Sequence, residues 1–400
     1  MKRTASKANK PQLECLEDRQ ALSTAAWVQD GTLYIQGDEY TNDVDVRIFH
    51  DIAVVQAEDG YYESFIMEQI GAIDVQLGDG SDVLKLDSEY GNWNGDSLRV
   101  HIDSGAGDDN VEIFGNSEFM QQGDDLAVTI RTQAGADHVE VYLRKVQDAA
   151  VSMDIDMGMD HDLFTGSLAG DLVNADVRLN VKAGFGMDRL SFAADMDLVE
   201  FGSDLHIDQA STLDVRMLAQ RGRDLMDMRF DAKVSGDVDL YEHGGEGADK
   251  ISADITRGTY DSGKLEIDVI GAKGDDTLGL QYQRRLMMDA PIEIMPFELQ
   301  GYDLMPAPAA TMSFGGGLNP LTTLIRPEIV PGIVNPFDPG HIGDDIGYFP
   351  YKYSQARIDG GDGFDRYSAT ENVTVLNCEA TMFDPGDIFD RIRLTDLLGK

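Results

Sequence analysis

The sequence has almost no cysteine. Cys15 and Cys378 are the only two in 400 residues, so disulfides do not carry the fold. No run of 18 or more apolar residues occurs, which excludes a membrane-spanning helix. Positive charge is scarce: 32 Lys+Arg stand against 73 Asp+Glu, a formal net charge of −41. Duplex nucleic acid and anionic membrane surfaces repel such a chain, so neither is expected as a partner. Glutamate is sparse among the acids, at 19 against 54 Asp. A good helix former is thus displaced by a residue that favours turns and caps. Proline is scarce outside one stretch, because ten of the twelve lie between Pro291 and Pro350. What remains is 42% hydrophobic with 42 glycines, enough apolar matter for a core in a chain rich in turns and strands.

Catalytic signatures are absent as well. The seven histidines form no His-x-x-x-His pair, and no Gly-x-Ser-x-Gly elbow or phosphate-binding loop appears. Acidic pairs abound, but among 54 aspartates they carry little information. Met153, Met217, Met226 and Met228 lie in apolar columns and read as core. Lone histidines at alternate strand positions, His101 and His138 among them, read as surface residues.

One pattern recurs: Gly-x-Asp, one further position, then an apolar residue. Its anchor aspartates are Asp82, Asp109, Asp137, Asp162, Asp188, Asp224, Asp249, Asp276 and Asp365, with Asp160 replacing the glycine before Asp162. They are spaced 27, 28, 25, 26, 36, 25, 27 and 89 residues apart, and six of eight gaps fall between 25 and 28. The flanks keep register. Nine residues before the anchors stand Ile73, Val100, Val128, Met153, Leu179, Val215, Leu240, Ile267 and Ala356. Seven before, only Glu242 interrupts an apolar column. Alternation with period two on both sides makes each repeat a strand, a Gly-rich turn and a strand. One such unit cannot bury its apolar face, but stacked units can.

The expected fold is all-β, a parallel β-solenoid with about 26 residues per rung. Repeated antiparallel hairpins in β-sandwiches are the alternative, since the same link suits a hairpin. Eight consecutive rungs would rise roughly 35–40 Å. Residues 1–26 read as a basic tail, 27–70 as an N-terminal β cap and 71–285 as the repeat solenoid. Residues 286–350 read as a Pro-rich excursion, and 351–400 as the last repeat with a C-terminal cap that Ile388 to Leu398 would help close. Leu198 to Ile207, in the 36-residue gap, reads as a side loop.

Two resemblances add expectations. Leu13-Glu14-Cys15-Leu16-Glu17-Asp18-Arg19, with Leu22-Ser23 behind it, is similar to the N-terminal motif of secreted and surface proteins of planctomycete bacteria. That resemblance implies an extracellular or cell-surface location. The turns, such as Gly360-Gly361-Asp362-Gly363-Phe364-Asp365 and Gly244-Gly245-Glu246-Gly247-Ala248-Asp249, resemble the nonapeptide of hemolysin-type (RTX) calcium-binding proteins. Here the motif comes once per rung rather than in tandem and several copies have lost glycines, so the array looks like a degenerate relative. By this resemblance Ca²⁺ is the expected cofactor. Its expected ligands are Asp82, Asp109, Asp137, Asp162, Asp188, Asp249, Asp276 and Asp365 with turn carbonyls. Stacked carboxylates repel, so either cations sit between them or the side chains splay into water.

The expected function is that of an exported, acidic, non-enzymatic surface or matrix protein, with Ca²⁺ and surface glycans or other surface proteins as partners. A calcium-dependent polysaccharide lyase or hydrolase on a β-helix is the alternative. Arg284-Arg285 is the local basic pair that such chemistry would call on.

Overall fold

Alternating apolar residues on both sides of a turn need one shared interior, and the chain supplies it by winding. The computed structural model describes residues 23–91, 97–116, 125–195, 205–258, 263–285, 354–362, 365–369 and 373–378. The N-terminal motif, the Pro-rich excursion and Ile388 to Leu398 lie outside the described residues. Two long sheets, of 12 and 13 strands, face each other. Each repeat puts its first strand in one sheet and its second in the other. Asp125–Arg131 thus pairs in parallel with Ser97–Asp103 and Ala150–Asp156, while His138–Gln147 pairs with Asn110–Asn116 and Leu163–Val173.

The protein is therefore a parallel β-solenoid, and the hairpin alternative is not adopted. Val100, Val128 and Met153 are direct neighbours across strands, and all three are buried. Among the described residues, antiparallel pairing is confined to the N-terminal end. There Ala25–Gln29 runs against Thr32–Gln36, and Asp43–His50, Ile52–Ala57 and Tyr62–Ile66 form a meander. Thr32–Gln36 and Asp43–His50 also pair in parallel with the next strands of their sheets, so residues 32–50 are a rung themselves. The added antiparallel strands occupy sheet edges that a parallel stack leaves open.

Two expectations about the gaps meet different outcomes. Part of the supposed side loop is core. Leu205 and Ile207 are fully buried, and His206–Ile207 lies between Leu163–Val173 and Leu225–Val234 in the second sheet. Apolar residues at alternate positions were drawn into the interior rather than left on a loop. The 89-residue gap interrupts the chain but not the stack, for Ser354–Asp362 pairs directly with Lys264–Lys273.

A corner column recurs in the nine rungs that carry an anchor aspartate. Four residues before each anchor the backbone turns left-handed, at Gly78, Gly105, Gln133, Gly158, Gly184, Gln220, Gly245, Ala272 and Gly361, with φ between 64° and 106°. A side chain there is strained, and at Gly105 a Cβ would collide with the Gly78 carbonyl of the rung below. Gln133→Gly should therefore stabilise the fold by about 1 kcal/mol. Gly105→Ala should cost roughly 2 kcal/mol or more. Urea melts of the two variants check this, and equal effects of one sign would refute it.

Candidate functional site: a buried aspartate ladder

Where the chain passes from one sheet to the other, strand pairing lapses and a backbone N–H is left over. The anchor aspartate lies at this point. Its carbonyl is used, because the residue after the next anchor donates to it, as Asn110 N–H does to the Asp82 oxygen at 2.8 Å and His138 N–H to Asp109 at 2.8 Å. Its own N–H needs another acceptor, and the anchor side chain of the following rung provides one. Asp82 N–H donates to Asp109 Oδ1, Asp109 to Asp137 and Asp137 to Asp162, each at 2.9 Å. The series continues through Asp188 at 3.0 Å, Asp224 at 2.8 Å and Asp249 at 2.9 Å. It closes on Asp276 at 2.8 Å and Asp365 at 3.0 Å.

All eight expected calcium ligands thus come together in one column, but they point inward. The nine anchors are at most 2% exposed, so they neither splay into water nor form an open rim. Two members escaped the expected set. Asp224 keeps its place in the ladder between Asp188 and Asp249, although its turn, Arg221-Gly222-Arg223, is basic. Asn42 starts the ladder, its N–H donating to Asp82 Oδ1 at 2.7 Å. The column register contains the signal for it, since Leu33, Ile35, Val44 and Val46 occupy the flanking apolar positions. A search keyed to Gly-x-Asp passes over an asparagine.

Burial sets the electrostatics. Loss of water pushes the carboxyls up, to about 6 at Asp82 and Asp137, about 7 at Asp224 and Asp276, and about 8 at Asp162. The backbone N–H bonds, and neighbouring hydroxyls from Ser104 at Asp109 and Thr132 at Asp137, pull in the other direction. At Asp82, Asp162, Asp188, Asp224, Asp249 and Asp276, the second oxygen, Oδ2, has no hydrogen-bond donor. Glycine at Gly244 and Gly271 leaves room for the Oδ2 atoms of Asp249 and Asp276, which a Cβ would strike.

The oxygens that the resemblance implies as calcium ligands are partly engaged within the protein. Oδ1 already accepts a backbone N–H, and several turn carbonyls are taken too: Gly78 by Ala106, Gly158 by Phe185 and Gln133 by Met159. Among the described residues no three His, Cys, Asp or Glu side chains gather as a metal group. Arg284 and Arg285 end strand Thr277–Arg285, and their side chains lie outside the described residues.

A buried acid also stands outside the ladder. Glu242, the residue that interrupts its apolar column, is 1% exposed between Met217 and Val269, and neither carboxylate oxygen has a partner. Desolvation, with the Asp227 charge added, pushes it well above its ordinary value.

The signs follow. A carboxyl raised by folding contributes stability that is complete below the ordinary carboxylate range and is lost as pH rises through about 6 to 8. Asp162→Asn keeps the acceptor and removes the charge, so it should raise the melting temperature at pH 8.5 and leave it nearly unchanged at pH 4. Asp162→Ala, which orphans the Asp137 N–H, should cost about 1–3 kcal/mol at both. Calorimetry at the two pH values tests the ladder, and an Asn variant as damaged as the Ala variant at pH 8.5 would sink it. Glu242→Met should stabilise the protein by about 1–3 kcal/mol at neutral pH, measured by denaturant unfolding. No protein-family model matches this chain, and neither a curated protein nor a solved structure is detectably similar to it.

Proposed function

We propose that the chain is an exported, acidic, non-enzymatic β-solenoid of the cell surface or extracellular matrix, with surface glycans or surface proteins as partners. The supporting observation is where the repeated carboxylates go. The most regular chemical feature of the sequence is turned inward, each carboxyl tying one rung to the next. Such an array supplies a stiff strip of outward side chains, which suits a scaffold better than a reaction centre. The net charge of −41 keeps that outer surface hydrated and resists self-association.

Calcium enters this reading as a counter-ion of the outer carboxylates, not as a ligand of the anchors. Exposed acids such as Asp79, Asp108 and Asp160 lie at the turns, outside the ladder. Divalent cations screening them would stabilise the fold by mass action without a formed site.

Thermal melts in Ca²⁺ and Mg²⁺ at equal ionic strength separate the two roles. The scaffold reading expects similar shifts from both ions, unchanged in Asp79→Ala. A Ca²⁺-specific rise that disappears in Asp109→Ala with Asp137→Ala would return the metal to the anchor column. Cell fractionation tests the address, and a purely cytosolic protein would remove it.

A further inference from the structure

The wet face of the first sheet changes character partway along. Six residues before the anchors it carries a column of charges, Asp103, Arg131, Asp156 and Lys182, paired strand to strand. At the next three rungs the same column becomes Leu218, His243 and Ile270. Nothing in the core requires this, since the inward neighbours Met217 and Val269 are already buried. Beside it, Tyr241 lies stacked on His243, with ring centroids 6.1 Å apart and an interplanar angle of 17°.

A concavity of about 490 Å³ lies here, with Leu218 and the rings of Tyr241 and His243 as its apolar part and Gln220, Glu246 and Lys273 as its polar part. Its walls come at a conformational cost. Six of the nine left-handed corner positions are glycine, yet here Gln220 (φ 77°) and Ala272 (φ 80°) flank Gly245 (φ 97°). Strained non-glycine backbone tends to persist where a side chain is used. Gln220 and Ala272 raise the sides, while Gly245 keeps the floor between them free of a Cβ.

The polar edge is held in place. Phe185, Arg221, Glu246 and Lys273 follow one another along the corner. The Arg221 guanidinium lies 5.4 Å from the Phe185 ring centre, and its Nη2 and the Lys273 Nζ each reach Glu246 at 2.9 Å. These two contacts hold the Glu246 carboxyl below its ordinary range, so it remains an acceptor at neutral pH.

We propose that this concavity binds an uncharged pyranose unit of a polysaccharide. The identity of the ligand source rests on the surface reading above; the site itself rests on the geometry. An open platform suits a ligand that stays partly in water. The aromatic face takes the apolar C–H face of a sugar ring. Hydroxyl groups both donate and accept, which matches the joined Glu246–Lys273 pair and the Gln220 amide. The overall charge of −41 repels an anionic glycan, and the open shape offers too little burial for a purely apolar molecule.

The test is calorimetric titration of the full chain with uncharged hexasaccharides: β-1,4-glucan, β-1,3-glucan, β-1,4-mannan and α-1,4-glucan. The expected result is binding of at least one, weakened about tenfold or more in Tyr241→Ala. Gln220→Gly should weaken binding while keeping or raising the melting temperature, which separates loss of the wall from loss of the fold. Tyr34→Ala, in the stacked Trp27–Tyr34 pair at the N-terminal end, should leave affinity unchanged. Failure of all four sugars with the folded wild type, or binding undiminished in both Tyr241→Ala and Gln220→Gly, would overturn the proposal. Fractionation judges the surface reading separately, so a surface-located protein that binds none of the sugars loses only this site.

Discussion

A backbone N–H at the corner between two sheets must find an acceptor, and the aspartate ladder is the answer this chain repeats at each rung. Within the strands, neighbouring rungs satisfy one another through ordinary parallel pairing. At the corner the carbonyl partner is missing, and an aspartate side chain from the next rung takes its place. Each bond is modest alone, about 1 kcal/mol or somewhat more with a charged acceptor. Its effect is to fix register. A rung displaced by one residue would leave an unpaired N–H at the corner and turn its apolar strand face to water at once.

That solution carries an electrostatic penalty. Nine carboxyls share a dry column, and water is withdrawn from each. The structure answers by raising the proton affinity of the carboxyls from Asp82 to Asp276 and by ending the column at Asn42, which offers the next aspartate a backbone donor without adding charge. Glu242 is a different case, an acid in the core that ties no rung to another. Its persistence among Met217 and Val269 has no structural gain on view. Both features tilt the protein's stability downward toward alkaline pH, in the same direction as the self-repulsion of its acidic surface.

The outer face divides along the same axis. Where charged residues alternate across strands, the surface is an ordinary hydrated sheet. Where Leu218, His243 and Ile270 replace them, with Tyr241 alongside, the face acquires an apolar platform with a fixed carboxylate at its edge. Strain at Gln220 and Ala272 coincides with this change, whereas Gln133 shows the same strain without such surroundings.

Much of the architecture was written locally. Period-two alternation around Val100, Val128 and Met153, repeated in phase with the aspartates, determined strands, turn positions and core columns, because each rung must match its neighbours side chain by side chain. Even the 89-residue gap left the register readable, since Ala356 and Ile358 keep their column positions. The direction of the anchor side chains was not legible. A Gly-x-Asp turn has the same sequence whether its carboxylate faces a cation, water or a backbone N–H, and only the lapse of strand pairing at the corner decides among them. Asn42, the re-entry of Ile207 and the Tyr241 platform were hidden for a related reason. Each depends on which residues become neighbours across rungs about 25 to 40 positions apart, and that adjacency exists only once the coil is wound.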